Sequence, residues 1–106
     1  MSKYLVHGNY VGEGVKGLLK EGGSSRRAAI EKLASSMGGS VESIYYAFGD
    51  TDVYVILDMP DNASMAAVAL VAGASGAVTM KTTVLMSPEE VDEAAKKTPV
   101  YSPPGQ

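Results

Sequence analysis

Cysteine is absent from the 106 residues. That removes disulfides, thiolate nucleophiles and thiolate metal sites together, and it fits a cytoplasmic protein. Basic residues are few and form no stripe beyond Arg26-Arg27 and Lys96-Lys97. With a formal net charge of -3, the chain lacks the electrostatic footprint of a nucleic-acid binder. Long apolar runs are missing too. Residues 62 to 80 carry no charge, yet the unbroken apolar run extends only from Met65 to Ala72, against the ~20 residues a membrane span needs. The opening "MSKYLVHGNY" has neither a long apolar core nor a small-residue cleavage site, so no signal peptide is expected.

What is present suits one domain. Hydrophobic residues make up 45% of the chain and charged ones 20%, an ordinary balance for a core that needs no disulfide or metal staple. The expected domain covers residues 1–97, followed by a Pro-rich extended tail over 98–106. "KYLVHGN" (3–9) reads as a first strand, and "VGEGVKGLLKEGG" as a weak helical turn broken by glycines. Ser24 or Ser25 then caps a firmer helix, in which Ile30, Leu33, Ala34 and Met37 follow the spacing of one apolar face. Gly38-Gly39 ends it. Strands are expected over 40–48, 53–59 and 77–86. A helix from Asp61 or Asn62 to about Ala74 lies between the last two. "SPEE" opens a last helix with Ser87 as cap, Pro88 at its first position and Glu90 closing a capping box. Lys96 and Lys97 sit in its last turn, where cations suit the helix dipole.

The polar break Gly49-Asp50-Thr51-Asp52 reads as a four-residue hairpin loop. That loop pairs Phe48 with Val53, Tyr46 with Val55 and Ile44 with Leu57, all on one sheet face, since a one-residue slip would mix the faces. Gly49 is expected to use a positive φ there. The resulting order is β-α-β-β-α-β plus a C-terminal helix. This is the ferredoxin-like arrangement, an α+β fold with a four-stranded antiparallel sheet. The face turned from the helices carries Ser43, Tyr45, Ala47, Tyr54, Ile56 and Asp58, which is less polar than a solvated face usually is.

With these residues placed, the chain resembles the GYD-domain family over roughly Tyr4 to Lys97. Met37-Gly38-Gly39 before the second strand, Gly49-Asp50-Thr51-Asp52 at the hairpin and Pro60-Asp61-Asn62 at the second helix carry the likeness. Thr51 stands where the family's naming motif has tyrosine. The resemblance implies a small ferredoxin-like module similar to the dimeric α/β-barrel proteins, and it implies no particular reaction.

Residues able to carry chemistry each have a plainer reading. "GEGVKG" (Gly12 to Gly17) matches the dinucleotide fingerprint, but the next strand leads into a hairpin instead of a second parallel strand. No cofactor is therefore expected. Asp50 and Asp52 are two carboxylates without a third ligand, so turn duty outweighs metal binding and no metal is expected. His7 has a side chain able to act as a general base, or it is a hydrogen-bonded structural residue. Arg26 stands near a helix start, where it can reach an anion or remain solvated. Lys81 lines a polar pocket or guards an edge strand. Tyr45, Tyr46 and Tyr54 stack on a planar ligand or serve as core and interface.

The expected function is a homo-oligomeric module, a dimer favoured, that binds a small molecule or a partner without catalysis of its own. His7, Arg26 and Tyr46 are the ligand-pocket candidates, and Tyr45, Tyr54 and Ile56 the interface candidates. The alternative is a cofactor-independent monooxygenase- or isomerase-like enzyme, with His7, Arg26 and Tyr46 in a pocket between helices and sheet.

Overall fold

The computed structural model describes residues 1–106. Its elements run β1 (Ser2–Tyr10), α1 (Glu13–Glu21), α2 (Gly23–Ser36), β2 (Ser40–Tyr46), β3 (Val53–Met59), α3 (Asn62–Ala74), β4 (Val78–Leu85) and α4 (Pro88–Ala95). The four strands form one antiparallel sheet in the order β2-β3-β1-β4. This is the ferredoxin-like α+β architecture with additional helices, and β4 is an edge as expected.

Alternation along each strand sorts the side chains onto two faces. Tyr4, Val6 and Tyr10 of β1 are buried together with Val55, Leu57 and Met59 of β3. Ala34 of α2 and Met65 and Val68 of α3 close over them. The core is small, since only 10 of 106 residues are buried. It is held by apolar burial at ~25 cal/mol per Å² and by few polar contacts. One of these is the Tyr4 hydroxyl, which donates to the Asn62 side chain at the start of α3.

The helix ends mostly follow the local chemistry. Asp61 caps α3 by accepting from the Ser64 N–H at 2.8 Å. Ser87 and Glu90 form the reciprocal capping box of α4, and Lys96 stands at its C-cap, just beyond the last turn. After Met37, Gly38 takes φ 79°, and Gly39 N–H reaches back to the Ala34 carbonyl at 2.9 Å, the Schellman pattern.

Three expectations about the bounds and caps of elements need correction. The "weak turn" is a nine-residue helix, α1. It holds despite its glycines because Gly14, bare of a side chain, sits buried against the Ala77 backbone. Neither Ser24 nor Ser25 caps α2; Gly22 does so with φ 81° and no side-chain bond, because α1 runs directly into α2. The β2–β3 loop spans residues 47–52, not 49–52, and the pairing is Tyr46↔Val53 and Ile44↔Val55, with a bulge between Val41 and Ser43. The register moves by two residues, so the faces survive.

The longer loop has a cause outside the hairpin. Asn9 accepts from the Asp52 N–H at 2.9 Å and donates to the Asp50 carbonyl at 3.1 Å. The Asp52 carboxylate accepts the Tyr10 N–H at 3.1 Å. Ala47 then closes on the Asp52 carbonyl at 2.8 Å, which expels Phe48 fully into solvent. Gly49 has no positive φ, contrary to expectation, and open space surrounds it.

Candidate functional site

Two elements stand over the inner face of the sheet without meeting along their length. α2 rests on β2, whereas α3 rests on β3 and β4. Between them lies a cleft of about 90 Å³ whose floor is β1, β3 and β4. Ile30 and Leu33 come from α2, and Met65, Val68 and Ala72 from α3. Arg26, in the first turns of α2, is the one charged residue on the lining, and Tyr10 brings the one hydroxyl. Apolar walls with one or two polar groups are the usual anatomy of a small-ligand site.

Arg26 is loosely held. Its guanidinium lies 3.6 Å from the Glu21 carboxylate, and both side chains are partly exposed. Tyr46, at the end of β2, donates its hydroxyl to the Gly23 carbonyl at 3.1 Å, pinning β2 to the start of α2. Burial, and after it the neighbouring Tyr10 phenol, push the Tyr46 phenol up to about 12, with Arg26 pulling slightly the other way. Arg26, Tyr46 and Tyr10 therefore meet at one end of the helix–sheet layer. A second, open recess beside them is lined by Val15, Leu18, Tyr46 and Phe48.

His7 lies elsewhere. It alternates with Tyr4 and Val6, so it points to the outer face, opposite Tyr54 on one side and Lys81 on the other. Its ring stacks on Tyr54 with centroids 5.9 Å apart and planes 17° from parallel. The polar groove around it is open and includes Asn9, Asp50, Thr51, Thr79 and Lys81. The proposed pocket of His7, Arg26 and Tyr46 is thus not assembled, because the sheet separates the first from the other two. No three His, Asp or Glu side chains come together as a cation cage.

The outer face also gathers Leu5, Tyr45, Tyr54, Ile56 and Leu85, in register across the four strands. Tyr45 is 72% exposed, and Ile56 and Leu5 are half-buried. Ala47, expected on this face, falls in the loop instead. At one end Lys3 bridges Glu42 and Asp58, and these two hydrogen-bonded carboxylates raise its pKa.

Tyr10 and Asn9 are the site residues that sequence reading missed. Extending the alternation Tyr4, Val6, Gly8 by one step places Tyr10 on the inner face. The Asn9–Asp52 clamp joins residues 43 apart, and no local signal marks it. The model of the GYD domain matches residues 4–95. No curated protein and no solved structure matches the chain.

Proposed function

The chain belongs to the GYD-domain family, and from that premise we propose a homo-oligomeric module that binds a small, largely apolar molecule in the cleft between α2 and α3, without catalysis of its own. The cleft itself carries this reading, being apolar on every wall with Arg26 set at its margin. Arginine there favours a ligand with an anionic end, because a guanidinium offers a carboxylate paired donors. The groups at hand do not form an acid–base pair. Tyr46 titrates near 12, so it stays protonated at neutral pH, and a base poised near the working pH is what proton transfer requires. The monooxygenase- or isomerase-like alternative asks for His7 beside Arg26 and Tyr46, and the sheet stands between them.

The homo-oligomer rests on the outer face. Tyr45, Tyr54 and Ile56 share it, no helix of the same chain covers it, and burying a large apolar group contributes ~1.5–3 kcal/mol. A self-complementary two-fold contact is the commonest way to cover such a face.

Butanoate and butanol test the cleft as a matched pair of probes small enough for it. Titrated into isotopically labelled protein, both should shift the methyl resonances of Ile30, Met65 and Val68, with butanoate the tighter. Val68→Phe should fill the space and abolish the shifts. Absence of shifts at millimolar probe, or shifts confined to other residues, would refute the site. Light scattering should give a mass of about 22 kDa, twice the 11.0 kDa chain; a mass of one chain at micromolar concentration would refute the oligomer.

A further inference from the structure

We propose that α4 and the segment after it form a clasp that reaches onto a second copy of the chain. The inference rests on the homo-oligomeric reading above and adds the segment that does the embracing.

Every residue from Pro88 to Gln106 is exposed. None of their hydrogen bonds or ion pairs reaches a residue before Ser87. Yet α4 is a well-built helix, opened by Pro88 and a complete capping box. A lone helix shorter than about 12 residues is marginal in water even in favourable sequences, so α4 needs a surface to rest on. Val91, Ala94 and Ala95 follow the i, i+3, i+4 spacing of an apolar stripe. Val91 is 52% exposed, Tyr101 73% and Val100 fully so.

That surface is not on its own chain. Only Met86 and Ser87 join β4 to α4, and neither is a glycine that would let the helix fold back. Ser87 is extended and held by its own capping bonds, which aims α4 away from the body. The molecule consequently measures 57 × 32 × 23 Å, with a radius of gyration of 16.9 Å, against about 13 Å for a compact chain of this length. Its accessible surface is 7386 Å², whereas a compact monomer of this mass exposes roughly 5,600 Å². The difference, roughly 1,800 Å² on each chain, exceeds the ~800 Å² that each partner gives up in a standard protein–protein interface.

A second copy is the occupant because the clasp begins at the rim of the uncovered face. Leu85, the last residue of β4, lies opposite Lys3 on the outer side of the sheet. A two-fold axis through that face sets the partner's body beside α4 and the partner's α4 beside this body. Each clasp then has reach to spare. Eight helical residues span ~12 Å, and the segment after them adds ~3 Å per extended residue, against a body about 23–32 Å across.

The absence of cysteine makes the test direct. Tyr101→Cys, labelled with a benzophenone maleimide in an equal mixture of ¹⁵N-labelled and unlabelled full-length protein, should yield cross-links of mixed isotope composition between residue 101 of one copy and the body of another. Deletion of residues 88–106, with circular dichroism confirming an intact fold, should weaken self-association about tenfold or more. Val91→Asp in the full chain should act in the same direction. If the parent is dimeric but cross-links stay within one chain or do not form, the clasp is wrong and the face-to-face dimer stands. The same holds if both variants associate as tightly as the parent. A parent that weighs a single chain refutes both.

Discussion

Gly39→Ala should be among the most damaging small changes the chain can receive. Gly39 lies where α2 hands over to β2, and a Cβ there would come within 3.0 Å of both the Asp58 carbonyl oxygen and the Met59 sulfur. The carbonyl cannot yield, since Asp58 is paired to Lys3 on one side and Ser40 on the other. Met59 is the most completely buried side chain of the core, so the sulfur has little room either. The backbone at residue 39 must therefore lift away from β3. Overpacking of this kind costs ~1–3 kcal/mol. The movement also weakens the Gly39 N–H bond to Ala34, a net ~1 kcal/mol. The sum is ~2–4 kcal/mol, or roughly 10–20 °C in melting temperature for a domain of this size. Gly49→Ala is the control, because nothing lies within 4 Å of its Cβ position and its φ is not positive. Urea unfolding followed by circular dichroism measures both. If Gly39→Ala falls within 0.5 kcal/mol of the parent, the usual range for a surface change, or if Gly49→Ala proves the worse of the two, the close-packing argument fails.

In an ultraviolet titration Tyr46 should ionise near pH 12. Tyr46→Phe should remove that step, and Tyr10→Phe should lower it. Because the fold favours the neutral phenol, the stability tied to it is intact below the ordinary value of 10.0 and is lost as pH rises toward 12. Asp61 has the opposite sign. The Ser64 N–H lowers its pKa from 3.8, so its capping contribution is present above that value and fades as pH falls through the folded one. Asp61→Ala should destabilise the protein at neutral pH, and the difference from the parent should shrink in acid unfolding curves. Ile56→Asp should keep its fold by circular dichroism yet run smaller than the parent in light scattering, since an unpaired carboxylate is costly to bury; an unchanged mass would remove the outer face as the interface.

Short-range chemistry explains which parts of this protein were legible in its residues. The β-branched and aromatic alternation of β1, β3 and β4 marks strands. Asp61 and the Ser87–Glu90 pair mark helix starts, and Gly38 marks a stop, because each acts on backbone groups only a few residues away. Those elements, in that order, leave the ferredoxin-like sheet as their arrangement, and the GYD resemblance rests on the same stretches. The helix-facing side of the sheet was legible too, because a two-residue slip preserves the alternation.

Contacts between distant residues decided the rest. The hairpin loop grew to six residues because Asn9 and the Tyr10 N–H hold Asp52, and nothing within the hairpin foretells that. α1 became a full helix because Gly14 could press against Ala77, a backbone more than sixty residues away. Both Leu5 and Val6 are apolar, so β1 alone does not announce which face the helices cover, and the position of His7 depends on that choice. Once α2 and α3 settled over Tyr4, Val6 and Tyr10, His7 was carried to the opposite side and Arg26 and Tyr46 were left together. The spacing of α2 and α3 follows from each helix packing on different strands, and that spacing opens the cleft. Apolar period selects which side of a helix is buried, but the distance between two buried helices is set by the side chains beneath both.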